Sequence, residues 1–364
     1  MGKSRIGIIF GGKSAEHEVS LQSARNVIKA VQKGDYEPVL IGIDKDGQWY
    51  LKDSDFLLEA DKPGNLNISD PFNHLGVIPG GKSGDLVNLT DQKVLESIDI
   101  VFPVLHGPYG EDGTVQGLLK LMDIPFVGAD ILGSAVGMDK DIMKRLLQEA
   151  GIPQADYLVY NDYEKENINF AEVQSKLGTP LFIKPANLGS SVGINKVENK
   201  SEFDKAIQEG FQFDRKVIIE ENVEGREIEC SVLGNDDPRA SQPGAIITQD
   251  FYSYEAKYTD KEESTLQIPA QVEQKITNQI QEMALKTFKT LCCRGMARID
   301  FFLNKQQEVL VNEINTIPGF TKISMYPKLW IESGLSYHEL VSELLNLAEE
   351  DYNKQKTLQT DYEI

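Results

Sequence analysis

Two segments late in the chain carry acids and a guanidinium at spacings that could hold a divalent cation. In Met296-Ala-Arg-Ile-Asp-Phe-Phe-Leu303, strand alternation sets Arg298 and Asp300 on one face and Ile299 and Phe301 on the other. In Glu308-Val-Leu-Val-Asn-Glu-Ile-Asn315, the same alternation puts Glu313 and Asn315 on one face with Val309 and Val311. The polar Asn304-Lys-Gln-Gln307 between them reads as a hairpin turn. If the two faces meet, Asp300, Glu313 and Asn315 converge beside Arg298. Three hard oxygen ligands with room for water and phosphate oxygens suit magnesium. A metal would also relieve the repulsion of two crowded carboxylates. On spacing alone, a solvated hairpin face with one ion pair fits equally well.

A second stretch, Lys184-Pro-Ala-Asn-Leu-Gly-Ser-Ser-Val-Gly193, has small residues that let backbone N–H groups approach phosphate oxygens. The hydroxyls of Ser190 and Ser191 add donors, and Lys184 could meet phosphate charge. It is not a Walker A loop, because a strand rather than a helix follows, so it would act as a flap. A plain hairpin turn explains the same residues as well. Near the start, Gly11-Gly-Lys-Ser-Ala-Glu-His-Glu18 follows a first strand but lacks the third glycine of a dinucleotide loop, which disfavours a Rossmann cofactor site. Glu16 at that mouth could pair with an ammonium group, although a surface acid is the plainer reading. His106 ends another strand of the same sheet, where a lone histidine is more often structural than catalytic.

The elements that must position these groups follow from hydrophobic period. Residues 5–10 read as a buried strand, and Leu21, Ala24, Val27, Ile28 and Val31 recur at helical spacing. Strands are expected at 36–43 and 98–105, with a helix over 114–122. Strand, loop and helix in alternation imply a parallel α/β sheet with ligands at the strands' C-terminal ends. Residues 46–96 are polar and turn-rich, and read as an insertion with little core. After Gly151-Ile-Pro153 the texture changes to strands at 180–185, 193–197 and 216–221, with a helix capped by Ser201. The polar, acidic final dozen residues read as a frayed tail.

Bulk properties narrow the function. The chain has 364 residues, enough for two or three domains, and a formal net charge of −20. Such a surface repels a phosphate backbone, so no nucleic-acid partner is expected. Cys230, Cys292 and Cys293 have neither zinc-ligand spacing nor a disulfide framework, and read as free thiols of a reducing compartment. The first apolar run, 6–10, is too short for a signal peptide or membrane span. Ile6 stands where a myristoylation motif needs Ser or Thr. A cytoplasmic protein without a membrane partner is expected.

Taken together, Phe10–Ser20, Leu105–Thr114, Gly137-Met-Asp-Lys140, Lys184–Gly193, Gly225-Arg-Glu-Ile-Glu229, Phe251–Tyr258, Arg298-Ile-Asp300 and Asn312–Pro327 resemble the D-alanine–D-alanine ligases of the ATP-grasp superfamily. Each stretch is weak alone; their order and spacing are specific, from Gly11 to about Leu347. The resemblance implies an α/β fold, α+β in its ATP-binding part. An N-terminal domain at 1–138 would precede two ATP-grasp subdomains at 139–222 and 223–350, with a tail at 351–364. It implies ATP and magnesium or manganese, two ions per site, and a homodimer. The expected activity is ligation of two D-alanines through an acyl phosphate, for peptidoglycan.

The resemblance also assigns roles. Glu16 matches the acid that pairs with the first D-alanine's ammonium, Ser190 and Tyr258 its hydrogen-bonding partners, and His106 a supporting residue. Arg298 and the N–H of Gly319 match the oxyanion-stabilising groups. Lys257, Ser324 and Met325 match residues near the second substrate's carboxylate or the transferred phosphate. Lys140, Lys184 and Ser191 match phosphate contacts, and Glu220, Glu221, Val223 and Glu227 adenine and ribose contacts. Asp300, Glu313 and Asn315 match the metal ligands. The segment 250–258 resembles a loop that closes over the site, and Tyr258 stands where dipeptide-forming members carry it; ligases that make D-alanyl-D-lactate or D-alanyl-D-serine are the alternative. A silent nucleotide-binding relative would lack metal ligands or phosphate lysines, all of which are present, and nothing resembles a carboxylase's bicarbonate or biotin site. Ala245, where many relatives carry Glu, and the Cys292-Cys293 pair depart from the pattern away from any substrate contact.

Overall fold

The computed structural model describes residues 3–59, 66–80, 85–190, 192–248 and 264–359. The first sheet is built on β1 (Ser4–Gly11), which pairs in parallel with β2 (Tyr36–Ile43) on one side and β6 (Ile100–Val104) on the other. An antiparallel edge strand, β3 (Trp49–Lys52), completes the order β3-β2-β1-β6. Both faces are covered. Ile6, Ile8 and Phe10 pack with α1 (His17–Val31) and the last helix (Tyr337–Lys356), while Ile9, Ile41 and Val101 pack with the helix Thr114–Leu121, here α2. That two-sided burial explains why β1 reads as an unbroken apolar run.

The region 46–96 contributes more than its composition promises. Besides β3 it forms the ribbon β4 (Leu75–Val77) and β5 (Leu86–Asn88), and buries Leu57 and Ile68 completely or nearly so. Strands of three or four residues are too short to show a period, so the sequence conceals them.

Helices α3 (Ile131–Met138) and α4 (Lys140–Glu149) lead into a second, antiparallel sheet. Its strands β7 (Tyr157–Asn161), β8 (Leu181–Pro185), β9 (Asn195–Val197) and β10 (Lys216–Glu221) run in the order β7-β10-β8-β9. Helices α5 (Phe170–Leu177) and α6 (Lys200–Phe213) seal one face through Val173, Phe203 and Ile207. The third sheet is centred on β11 (Gly225–Gly234), paired along its length with β15 (Gly295–Asn304) and flanked by β12 (Arg239–Ala240), β13 (Gly244–Thr248), β14 (Ser264–Gln267) and β16 (Val309–Asn315). Helix α7 (Gln274–Thr290) covers it with Ile280, Ala284 and Phe288.

Helices α8 (Met325–Glu332) and α9 (Tyr337–Lys356) return the chain to the first sheet. A capping box of Ser336 and Glu339 starts α9, and the helix continues to Lys356, beyond residue 351, where the sequence suggests a tail. Tyr352 explains the extra turns, because its hydroxyl donates to the carbonyl of Asp123 at 2.8 Å. Lys354 and Lys356 in the last turn favour the helix's negative end. Among the described residues no helix is long and apolar enough to cross a membrane.

Candidate active site

The first sheet delivers Glu16 and His106 from the C-terminal ends of β1 and β6. After β1 the chain turns so tightly that a Cβ on Gly11, at φ +91°, would lie 2.2 Å from the carbonyl oxygen of Ile43, so only glycine fits. The turn brings Glu16 to the start of α1, 9% exposed, where its carboxylate accepts a short hydrogen bond from the hydroxyl of Ser190. Ser190 itself sits at φ +51°, a left-handed conformation that a non-glycine residue adopts at a cost. The strained backbone of this loop aims the hydroxyl across to another sheet's acid.

His106 is buried, its Nδ1 3.1 Å from the carbonyl of Ile317 and its Nε2 3.3 Å from Ser23 Oγ. Burial lowers its pKa, so the imidazole stays neutral beside Glu16.

Glu111, inside the same loop as His106, is a residue that no sequence signal singles out. Its carboxyl accepts from the backbone N–H of Gly107 at 2.8 Å and of Ile317 at 3.2 Å, tying the loop after β6 to the loop after β16. Burial first, then the nearby Glu16 carboxylate, push it up to about 8. An acid between Gly110 and Asp112 looks like a solvated loop residue, and only the fold shows that it is partly buried and bonded to two backbone N–H groups.

The late hairpin forms as its turn residues suggest, but one step differs. Asp300 pairs with Glu313 and Arg298 with Asn315, whereas Phe301 pairs with Val311, so Asn312 is an extra residue on β16. This bulge reverses the alternation: Val309 and Val311 face the core, and Glu313 and Asn315 turn to the opposite face, beside Asp300. Unbroken alternation, as the sequence suggests, would have left Glu313 with Val311. Arg298 grips Asp300 through two hydrogen bonds of 2.7 Å and reaches Glu229 at 2.8 Å. Burial disfavours its charge, but Asp300 and Glu229 more than compensate and hold its pKa well above normal. Asn315 Nδ2 donates to Asp300 at 3.1 Å. Two carboxylates and an amide meeting on one face are a donor set that fits a hard divalent cation.

A cleft of about 450 Å³ opens between the second and third sheets. Lys140, Lys184, Glu220, Glu221, Val223 and Glu227 line it, with Asp300 and Glu313 at one end. Lys140 Nζ donates to the carbonyl of Leu188 at 2.6 Å and lies 3.5 Å from Glu313. Lys184 forms a short ion pair with Glu220 and lies 3.5 Å from Asn312 Oδ1. Glu221 accepts from the N–H of Asp156 at 2.9 Å. Beyond the hairpin, Gly319 packs so closely that a Cβ there would lie 2.7 Å from Ser324 Oγ. Ser324 is occupied within its own loop, bonded to Thr321 N at 3.0 Å and Thr321 Oγ1 at 2.8 Å. Met325, the first residue of α8, packs its side chain with Ile246 and Leu329. Ser191, Lys257 and Tyr258 lie outside the described residues, as does the segment 249–263.

The family model for the D-Ala–D-Ala ligase N-terminus matches residues 5–129, and that for the D-Ala–D-Ala ligase C-terminus matches residues 146–346. The chain belongs to the D-alanine–D-alanine ligase family. A D-alanine–D-alanine ligase of Shouchella clausii is 52% identical over 362 residues, spanning 99% of this chain and 98% of its own. Among solved structures, the D-alanine–D-alanine ligase of Coxiella burnetii is 38% identical with a TM-score of 0.86, covering 98% of this chain and 97% of its own. The VanG D-Ala:D-Ser ligase of Enterococcus faecalis is 36% identical with a TM-score of 0.83, covering 95% of this chain and 99% of its own. The sheets that carry the site are therefore those of an ATP-grasp ligase. The free thiols stand apart from it: burial pushes both Cys230 and Cys293 up to about 12, and Cys292 is exposed.

Proposed function

We propose that the chain joins two molecules of D-alanine into D-alanyl-D-alanine at the expense of ATP, with the work divided among the residues just described. Glu16 and Ser190 receive the ammonium of the first D-alanine, and His106 supports them as a neutral group. Polyphosphate lies in the cleft against Lys140, Lys184 and Ser191, with adenine and ribose against Glu220, Glu221, Val223 and Glu227. Asp300, Glu313 and Asn315 would hold magnesium or manganese, two ions in all, whose contribution is to neutralise charge on the transferring phosphoryl group.

The chemistry follows from the poor electrophilicity of a carboxylate. An oxygen of the first D-alanine's carboxylate attacks the terminal phosphorus of ATP and ADP leaves. The neutral amine of the second D-alanine then adds to the acyl carbon. Arg298 and the N–H of Gly319 stabilise the oxyanion that develops, and the C–O bond to phosphate breaks, releasing inorganic phosphate and a proton. Lys257, Ser324 and the backbone of Met325 orient the second carboxylate. Tyr258 and the loop that carries it exclude the water that would otherwise hydrolyse the acyl phosphate.

The observation that supports this reading most is the position of Arg298. It is locked to Asp300 and Glu229, two acids that line the cleft, and His106 and Glu111 feel its charge as the smallest of the influences on them. This supports a guanidinium that serves both the amino-acid pocket and the phosphate cleft. The resemblance further supports the division at 1–138, 139–222 and 223–350, a homodimer, which sedimentation would test, and a cytoplasmic location. Phosphate release measured with D-alanine, L-alanine, D-serine, D-lactate or no addition, with product identification, tests the activity. Turnover with D-alanine alone is expected; preferred use of D-serine or D-lactate as second substrate would overturn the dipeptide assignment.

A further inference from the structure

Lys144, on α4, has a side chain only 1% exposed, and stands behind the cleft wall rather than in it. Its Nζ lies 2.8 Å from Glu220 Oε1, while Lys184 engages Glu220 Oε2 from the cleft side. The Lys144–Glu220 contact is an ion pair poorly aligned for a hydrogen bond, and the ammonium also lies over the face of Tyr157, 5.3 Å from the ring centroid. Burying a lysine costs several kcal/mol unless a partner offsets it, so its placement calls for a reason.

Charge supplies one. Glu220 is held ionised, down to about 2, because the two lysines outweigh the burial that would otherwise neutralise it. Two buried cations share one buried anion, so this trio carries one net positive charge, set against Glu313 and Glu227, which also act on Lys184. Without Lys144, Lys184 and Glu220 would form a neutral pair, with the Lys184 ammonium fully engaged by the carboxylate. The described cleft wall itself carries six acidic side chains against four basic ones, so it does not attract polyphosphate by its own composition. A cation behind Glu220 narrows that deficit and leaves Lys184 charge to offer a phosphate.

We propose that Lys144 is a positioning residue for nucleotide binding, sharing Glu220 from behind so that Lys184 can turn its charge toward the polyphosphate of ATP. The inference rests on the ATP site proposed above and adds a residue that does not touch the nucleotide.

A double-mutant cycle tests it. Lys144→Met should raise the KM for ATP about tenfold, the effect of one weakened charge contact, and leave the KM for D-alanine and kcat at saturating ATP within about twofold. Lys144→Arg should restore most of the loss. In a Glu220→Gln background, the same Lys144→Met change should have little further effect, because the group through which it acts is gone. Equal losses in both backgrounds, or an unchanged KM for ATP, would overturn the proposal. If the methionine variant does not accumulate, Lys144→Gln carries the same expectation. Direct titration with ADP separates the two levels: a native protein that binds no ADP defeats the ATP site itself, whereas native and Lys144→Met proteins of equal affinity defeat only the role of Lys144.

Discussion

Replacing Glu111 by Gln should change how the stability of the protein depends on pH. In the native state this carboxyl keeps its proton up to about 8, whereas an unfolded glutamate loses it near 4.5. Between those values the native state binds a proton that the unfolded chain has released, so stability falls as pH rises, by up to about 1.4 kcal/mol per pH unit. From pH 5.5 to 7.5 the loss from this one group is at most about 2–3 kcal/mol. The contribution is fully present below the unfolded value and gone above about 8. Gln cannot titrate, and its amino group faces one of the two N–H donors that Glu111 now satisfies, Gly107 or Ile317. That mismatch costs about 1–3 kcal/mol at every pH. The variant should therefore be less stable than the native protein at pH 5.5, and the two curves should converge by pH 7.5. Urea unfolding followed by tryptophan fluorescence at a series of pH values measures both. Parallel curves over that range would refute the assignment of a partly buried, proton-holding acid.

Other changes probe the reaction itself. Arg298→Ala should abolish turnover while ADP titration still detects nucleotide. Because it also removes an ion-pair partner from Glu229 and Asp300, costing up to about 3–5 kcal/mol, Arg298→Lys is the cleaner variant, with kcat down about 100- to 1000-fold. Asp300→Ala should lose activity that excess magnesium restores only in part, read from magnesium titrations of phosphate release. Gly319→Ala forces the Ser324 hydroxyl from its place against Thr321 and should lower kcat more than it raises the KM for ATP. Tyr258→Phe should change the choice between D-alanine and D-lactate as second substrate, scored by product analysis.

Much of the fold is legible in the amino-acid order. The buried strands of the first sheet announce themselves because Ile6, Ile8, Ile9 and Phe10 are enclosed on both faces, and the glycines after them mark where the chain must turn. The lysines and acids of the cleft are legible only as a pattern shared with a family, since Lys140, Lys184 and Glu227 lie on different elements and no local spacing connects them. Two kinds of feature stay hidden. Enclosure of a polar group, partial for Glu111 and complete for Lys144, depends on distant segments closing over it, and nothing beside it in the chain records that. The irregularity at Asn312 is equally silent, because an extra residue in a strand leaves composition and hydrophobicity unchanged.

That irregularity decides what the hairpin can be. Drawing Asn312 into the ladder as an ordinary paired residue would leave two regular strands of the same sequence, yet swing the Glu313 side chain into the hydrocarbon packed under α7. Its carboxyl would then be a buried liability instead of one of the three proposed cation ligands. The orientation of this acid thus comes down to whether one link of the chain stays out of the ladder.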